Sequence, residues 1–216
     1  MKYNPEIHHR RSIRLKDYDY SQPGAYFVTI CVKGRKLLFG EIIDGQMVIN
    51  RYGEIVKYTW YDLPNHNDNI LLDEFVIMPN HVHGIIIINN VGAGSVGAGS
   101  EPAPTTPTRN NSLTEIVRQF KTFSAYRINK IRQMTGVPVW QRNYYEHIIR
   151  NENELNKIRK YIVNNPLKWH LDRENPDRIA KDDLENEIFE FKSKTAHSFS
   201  KVVGAGSEPA PTITNT

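Results

Sequence analysis

From Gly24 onward the apolar residues fall in short blocks whose spacing switches between the two-residue period of a strand and the three-to-four-residue period of a helix. Residues 25–33 (AYFVTICVK) are aromatic and β-branched and follow Pro23-Gly24, which predicts a central strand. Glu41-Ile42-Ile43 and Met47-Val48-Ile49 flank Asp44-Gly45, the signal of a hairpin. Between Tyr52 and Leu63, the residues Ile55, Val56, Tyr58, Trp60 and Leu63 allow a short helix that Pro64 ends. Residues 71–78 and 81–88 read as two further strands rich in Val and Ile, divided by Pro79-Asn80.

The next helix is marked by Ser112 and Glu115 at capping-box spacing, with Leu113, Ile116, Val117, Phe120 and Phe123 as its apolar stripe and Gly136 and Pro138 beyond its end. Residues 143–149 (NYYEHII) predict a last strand. Asn151 with Glu154 then caps a helix whose stripe is Leu155, Ile158 and Ile162, stopped by Pro166. This order predicts the α+β class: an antiparallel sheet with helices on one face. One domain is expected over residues 1–171. It is interrupted at 91–111 by a Gly-, Ala-, Ser-, Pro- and Thr-rich stretch that reads as a flexible insertion, and 172–216 reads as a polar, acidic, partly disordered tail.

Composition narrows the class. Apolar residues make up 39% and charged residues 24%, and the longest apolar run, Val82 to Ile88, is interrupted by His83, so no membrane segment is expected. The polar stretch Met1 to Lys16 has no apolar block behind it and does not read as a signal peptide. A single cysteine, Cys31, excludes an internal disulfide, and together these features predict a cytoplasmic protein. Net charge is +4, divided as +7 over residues 1–171 and −3 over 172–216. A basic body is the footprint expected of a phosphate-backbone binder and places the protein at the nucleoid, although many ordinary proteins share it.

The peptide GAGSEPAPT occurs twice, at residues 97–105 and 204–212, and Val91–Ser95 recurs as Val96–Ser100. Gly codons begin GG and Pro codons begin CC, so Gly-early, Pro-late peptides can be written as an inverted repeat. Two readings stay open: copies of a palindromic genomic repeat within the reading frame, or a flexible linker that recurs.

Two constellations carry chemistry. His81 and His83 are two apart on a predicted strand, where alternate side chains share a face, so both imidazoles can reach one ion or can be ordinary satisfied histidines. Tyr161 and Asn165 stand at i and i+4 on one face of the last helix.

With YDYSQPGAYFVTIC, MPNHVHGI, SLTEIVRQFK and VWQRNYYEHIIRNENELNKIRKYIVNNP, residues 10–170 resemble the single-tyrosine HUH transposases (IS200-like) and, within them, the REP-associated tyrosine transposases. That resemblance implies a ferredoxin-like or RRM-like sheet, a divalent ion held by His81 and His83, Tyr161 as nucleophile, and Asn165 completing the metal site. Two imidazoles and an amide oxygen leave positions open for phosphate oxygens, which suits Mg2+ or Mn2+ better than a closed zinc site. The implied reaction cleaves and rejoins single-stranded, hairpin-forming DNA through a 5′-phosphotyrosine. The oligomeric state, monomer or homodimer, stays open.

Candidate DNA contacts are Arg10, Arg11, Arg14 and Lys16 in the amino-terminal arm, with Arg118, Lys121 and Arg142. The cations on the 112–132 helix equally suit a solvated face, and Trp140, Tyr144 and Tyr145 suit core packing more readily than base stacking. Competing functions are a repeat-binding protein that no longer cuts, a metal-dependent nuclease using water, and, more weakly, an RNA-binding module.

Overall fold

A computed structural model describes residues 18–89 and 111–190 of the chain. Arg10, Arg11, Arg14 and Lys16, both copies of the repeated peptide, and all of the expected 91–111 insertion except residue 111 lie outside the described residues.

Strands β1 (Gly24–Cys31), β4 (Ile70–Met78), β5 (His81–Ile88) and β6 (Tyr145–Ile149) form one antiparallel sheet in the order β4-β5-β1-β6. A separate hairpin pairs β2 (Gly40–Ile43) with β3 (Gln46–Ile49). Its turn puts Asp44 at φ 50° and Gly45 at φ 75°, the left-handed pair that a two-residue hairpin loop demands. Helix α1 (Arg51–Tyr61) links β3 to β4, and α2 (Leu113–Arg132) lies between β5 and β6. Helix α3 (Glu152–Asn164) follows β6, and α4 (Asp183–Glu190) ends the described chain. Within the main sheet, strand–helix–strand, hairpin, strand–helix–strand is the ferredoxin-like arrangement expected.

Ser112 and Asn151 cap helices where the sequence put them, and Asn50 caps α1. Asn50 accepts from the N–H groups of Tyr52 and Gly53, Ser112 from that of Glu115, and Asn151 from that of Glu154. The Glu115 carboxylate also bonds Arg118.

Helices cover both faces of the sheet, not one. Side chains alternating along the strands separate two cores. Tyr26, Val28, Ile30, Val82, Ile86 and Ile148 face α1 and α2, with Trp60 and Phe120. Phe27, Ile85 and Ile149 face α3 and α4, with Leu155, Ile158, Tyr161, Ile162 and Ile188. The expected single layer is correct for the two crossover helices. The stripe of α3 could not reveal which side of the sheet it would take.

The boundary at residue 171 is also corrected, because the folded body continues to Glu190. Residues 172–190 lack a dense apolar pattern because their buried groups are largely acids with partners. Asp172 accepts from Asn165, Glu174 pairs with Arg35, Asp182 with Lys168, and Glu185 with the N–H of Arg173. Leu184, Ile188 and Phe189 supply the apolar contact.

Gly84 sits at the middle of β5 beneath α1. A Cβ there would lie 2.4 Å from Cζ2 of Trp60, whose ring stacks on Phe75 and is fully buried. Gly84→Ala should therefore destabilise the protein by about 1–3 kcal/mol, read as a lower urea midpoint at an unchanged m-value; an unshifted midpoint would show that the ring can retreat.

Candidate metal and tyrosine site

Register across the sheet decides which side chains meet. On the α3 face, Thr29 lies opposite His83 and Cys31 opposite His81, while His83 in turn neighbours Val76 on β4. Both histidines are fully buried. Their Nε2 atoms face each other at 2.9 Å, so the alternation of β5 brings the two rings to a single point.

The far side of each ring is held. His81 Nδ1 lies 2.8 Å from Asn80 Oδ1. The Asn80 amide cannot be turned around, because its Nδ2 donates to the carbonyls of Glu174 (2.7 Å) and Arg35 (3.3 Å), which can only accept. His81 must therefore bring a proton on Nδ1, and its Nε2 presents a lone pair to the cluster. His83 Nδ1 lies 2.8 Å from Thr29 Oγ1, and a hydroxyl can donate or accept, so either tautomer of His83 is accommodated.

Asp172 completes the group. Its Oδ2 is 3.6 Å from His81 Nε2 and 3.8 Å from His83 Nε2, and the ligand atoms of the three buried residues lie within 4.8 Å of one another. Two imidazole nitrogens and a carboxylate oxygen converging in this way form a group able to hold a divalent cation. Asn165 stands at the C-cap of α3, and its Nδ2 donates to Asp172 Oδ2 at 3.0 Å. Its Oδ1 is buried with no hydrogen-bond partner among the described residues, an acceptor of the kind a hard cation takes.

Tyr161 is brought to the same point by the stripe of α3, with its ring edge-on to Phe27. Its hydroxyl lies 3.2 Å from His83 Nε2 and 3.5 Å from Glu185 Oε1. Glu185 also accepts from the N–H of Arg173 at 2.8 Å and pairs with Arg178 at 3.3 Å.

The electrostatics follow from dryness. Burial keeps the His81 imidazole neutral, with a pKa lowered to about 3 despite the pull of Asp172. Burial opposes ionisation of Asp172 as well, but the facing histidines and the N–H of Glu174 outweigh it and hold the carboxyl below its ordinary range. Burial, then the carboxylates of Asp172 and Glu185, raise the Tyr161 phenol well above its usual value. Burial likewise raises Glu185.

No family model matches the chain. A relative from Haemophilus influenzae, described as an uncharacterized protein, is 46% identical over 175 residues, covering 80% of this chain and 96% of the relative. This chain belongs to the same family as that Haemophilus protein. Among solved structures, a REP-associated tyrosine transposase bound to a REP hairpin is similar at 18% identity and a TM-score of 0.43, covering 72% of this chain and 73% of that one. A proposed transposase from Deinococcus radiodurans R1 is similar at 18% identity and a TM-score of 0.39, covering 70% and 95%.

In this member of the family, His81, His83, Tyr161 and Asn165 are brought together, while Arg118, Lys121 and Arg142, the described candidates for DNA contact, lie apart from them. Arg118 and Lys121 are on α2, across the sheet from the histidines. Arg118 is paired with Glu115, and the Lys121 ammonium is committed to the carbonyls of Gln141, Arg142 and Asn143 at 3.1–3.3 Å. Lys121 therefore fastens the segment before β6. Arg142 on that segment is exposed. Trp140 is core: it packs on Phe39 and Phe120 and donates to Ser124 Oγ. Asp172 and Glu185 had no sequence signal beyond lying in a segment too acidic for a core.

His81 supplies a pH test. Unfolded, its imidazole titrates near ~6.5; folded, its pKa is lowered to about 3. Between these values the unfolded chain binds one proton more, so its contribution is complete above the unfolded pKa and lost as pH falls, by about 1.4 kcal/mol per pH unit. In EDTA, stability should drop by about 2 kcal/mol from pH ~7 to ~5, and His81→Ala should flatten that slope; an unchanged slope would assign it elsewhere. A second measurement, Mn2+ calorimetry, should show binding lost in Asp172→Ala and weakened about 10–100-fold in Asn80→Ala, which only orients His81. Full affinity in Asp172→Ala would remove Asp172 from the site.

Proposed function

We propose that this protein is a single-tyrosine HUH transposase, closest to the REP-associated kind, that cleaves and rejoins single-stranded hairpin-forming DNA. The observation that carries the reading is the Tyr161 hydroxyl 3.2 Å from His83 Nε2, itself 2.9 Å from His81 Nε2. His81, His83 and Asp172 would hold the divalent ion, Mg2+ or Mn2+, with Asn165 Oδ1 as a further acceptor. When bound, such an ion withdraws charge from a scissile phosphate and from the oxygen that leaves it.

Tyr161 attacks phosphorus, and the bond from phosphorus to the 3′ oxygen breaks, giving a 5′-phosphotyrosine and a free 3′-OH. Helix α3 would fix the phenol beside His83 for that attack. The phenol starts protonated, since burial raises its pKa, and its proton must leave during attack. Glu185 Oε1, 3.5 Å away and itself made more basic by burial, is placed to take that proton and return it to the departing 3′ oxygen. Rejoining is the reverse: a 3′-OH attacks the phosphotyrosine, and no external energy enters.

Phe27 and Phe189, both edge-on to the Tyr161 ring, and the surrounding apolar side chains would keep bulk water from the phenol, which favours strand rejoining over hydrolysis. Tyr161 is 3% exposed, so a scissile phosphate would reach its hydroxyl only after side chains packed over the ring move, with Glu185 staying within reach of the proton.

A hairpin oligonucleotide written from the gene segment encoding GAGSEPAPT, with its flanks, should give a covalent protein–DNA adduct on denaturing gels in Mn2+ or Mg2+. Tyr161→Phe should lose the adduct by on the order of a thousandfold or more while keeping DNA affinity. Cleavage that persists in Tyr161→Phe without adduct would instead establish water as the nucleophile.

A further inference from the structure

Beside the histidine–tyrosine cluster lie two adjoining cavities of about 270 and 400 Å3, a groove in two parts whose linings share Arg35, Arg173 and Phe189. One end reaches Thr29 and Gln141, and the other reaches Arg178, Lys181 and Glu185. Each end touches the chemistry through one residue. Thr29 holds His83 Nδ1, and Glu185, which lines the groove, is bonded on its inner side by the Tyr161 hydroxyl.

The groove is built for anions. Arg35, Arg173, Arg178 and Lys181 line it, against only Glu174 and Glu185. Those two acids position the cations. Glu174 oxygens lie 3.0 Å from Arg35 Nε and 3.7 Å from Arg173 Nε, while a Glu185 oxygen lies 3.3 Å from Arg178. Even so paired, the Arg35 and Arg173 side chains stay 50% and 41% exposed. The Arg173 guanidinium lies over the Phe189 ring at 4.1 Å, and Phe189 packs on Tyr145, giving the row of cations an aromatic flank. Cations in series beside aromatic faces suit an unpaired strand, whose phosphates and bases are both accessible, better than a duplex, whose bases are stacked away.

We propose that this groove is the path of the unpaired DNA strand, with Arg35, Arg173, Arg178 and Lys181 contacting successive phosphates and delivering one of them past Glu185 to Tyr161. The assignment deepens the transposase reading and rests on it for the identity of the strand. The groove cations belong to no motif of the sequence: Arg35 follows β1, and the other three lie in the segment first read as tail.

The probe is a fluorescein-labelled oligo(dT) of about 20 nucleotides, titrated with the full-length protein between about 50 and about 300 mM NaCl. Each lost phosphate contact should lower the slope of log affinity against log salt by about 0.7. Arg35→Gln/Lys181→Gln should therefore lower it by about 1.4 and weaken binding about tenfold or more at low salt, and Lys181→Gln alone should lower it by about half as much. Both positions are exposed, and equal melting temperatures will verify folding. Arg51→Gln/Lys57→Gln on α1, across the sheet, should keep the wild-type slope. An unchanged slope in the groove variants, or an equal loss in the α1 pair, overturns the proposal. Hairpin adducts are scored in parallel: a groove-dependent slope in a protein that never forms an adduct keeps the strand path and retires the tyrosine reading, whereas adducts with a groove-independent slope do the reverse.

Discussion

Two imidazoles can face each other nitrogen to nitrogen in a dry interior only if each has its outer nitrogen claimed by something that does not move. Here the claimants are Asn80 and Thr29, at 2.8 Å each. Asn80 is the stricter, because its own amide is fixed by two carbonyls from segments far apart in sequence, those of Arg35 and Glu174. Without that clamp His81 could rotate or change tautomer, and the lone pair it offers to the cluster would be lost.

The two faces of the sheet divide the labour. The α1–α2 side holds most of the apolar bulk, with Trp60, Phe75 and Phe120 locked ring against ring. The α3–α4 side holds a smaller core and the buried polar groups. Strand β5 serves both: Val82, Gly84 and Ile86 pack one way while His81, His83 and Ile85 point the other. A rigid hydrophobic layer behind the strand is what allows expensive polar groups in front of it to be held within a few tenths of an ångström.

Much of this was legible in the chain. Period-2 blocks gave the strands, the caps Asn151 and Ser112 marked helix starts, and the spacing of His81 and His83 placed them on one face. Three things were not. The side on which α3 packs depends on the length and direction of the turn at Arg150–Asn151, which a helical stripe does not encode. Asp172 lies seven residues beyond Asn165, past Pro166 and a short helical turn, so only the folded backbone shows that its carboxylate returns to the histidines. Residues 172–190 imitate a solvated tail because their buried side chains are charged, and compositional reasoning equates charge with exposure. Lys121 shows the reverse: a cation on a helix surface gives no sign in the sequence of the three backbone carbonyls around its ammonium.

The carboxylate that joins the histidines comes from the segment that also carries Glu174, Arg173, Arg178 and Glu185. Any occupant that bonds Asp172 is thus thermodynamically linked to the docking of that segment, and its binding free energy adds to the clasp. At a hundredfold excess over its dissociation constant such an occupant contributes about 2.7 kcal/mol. An occupant of that strength would make the docking of residues 172–190 vary with its own concentration.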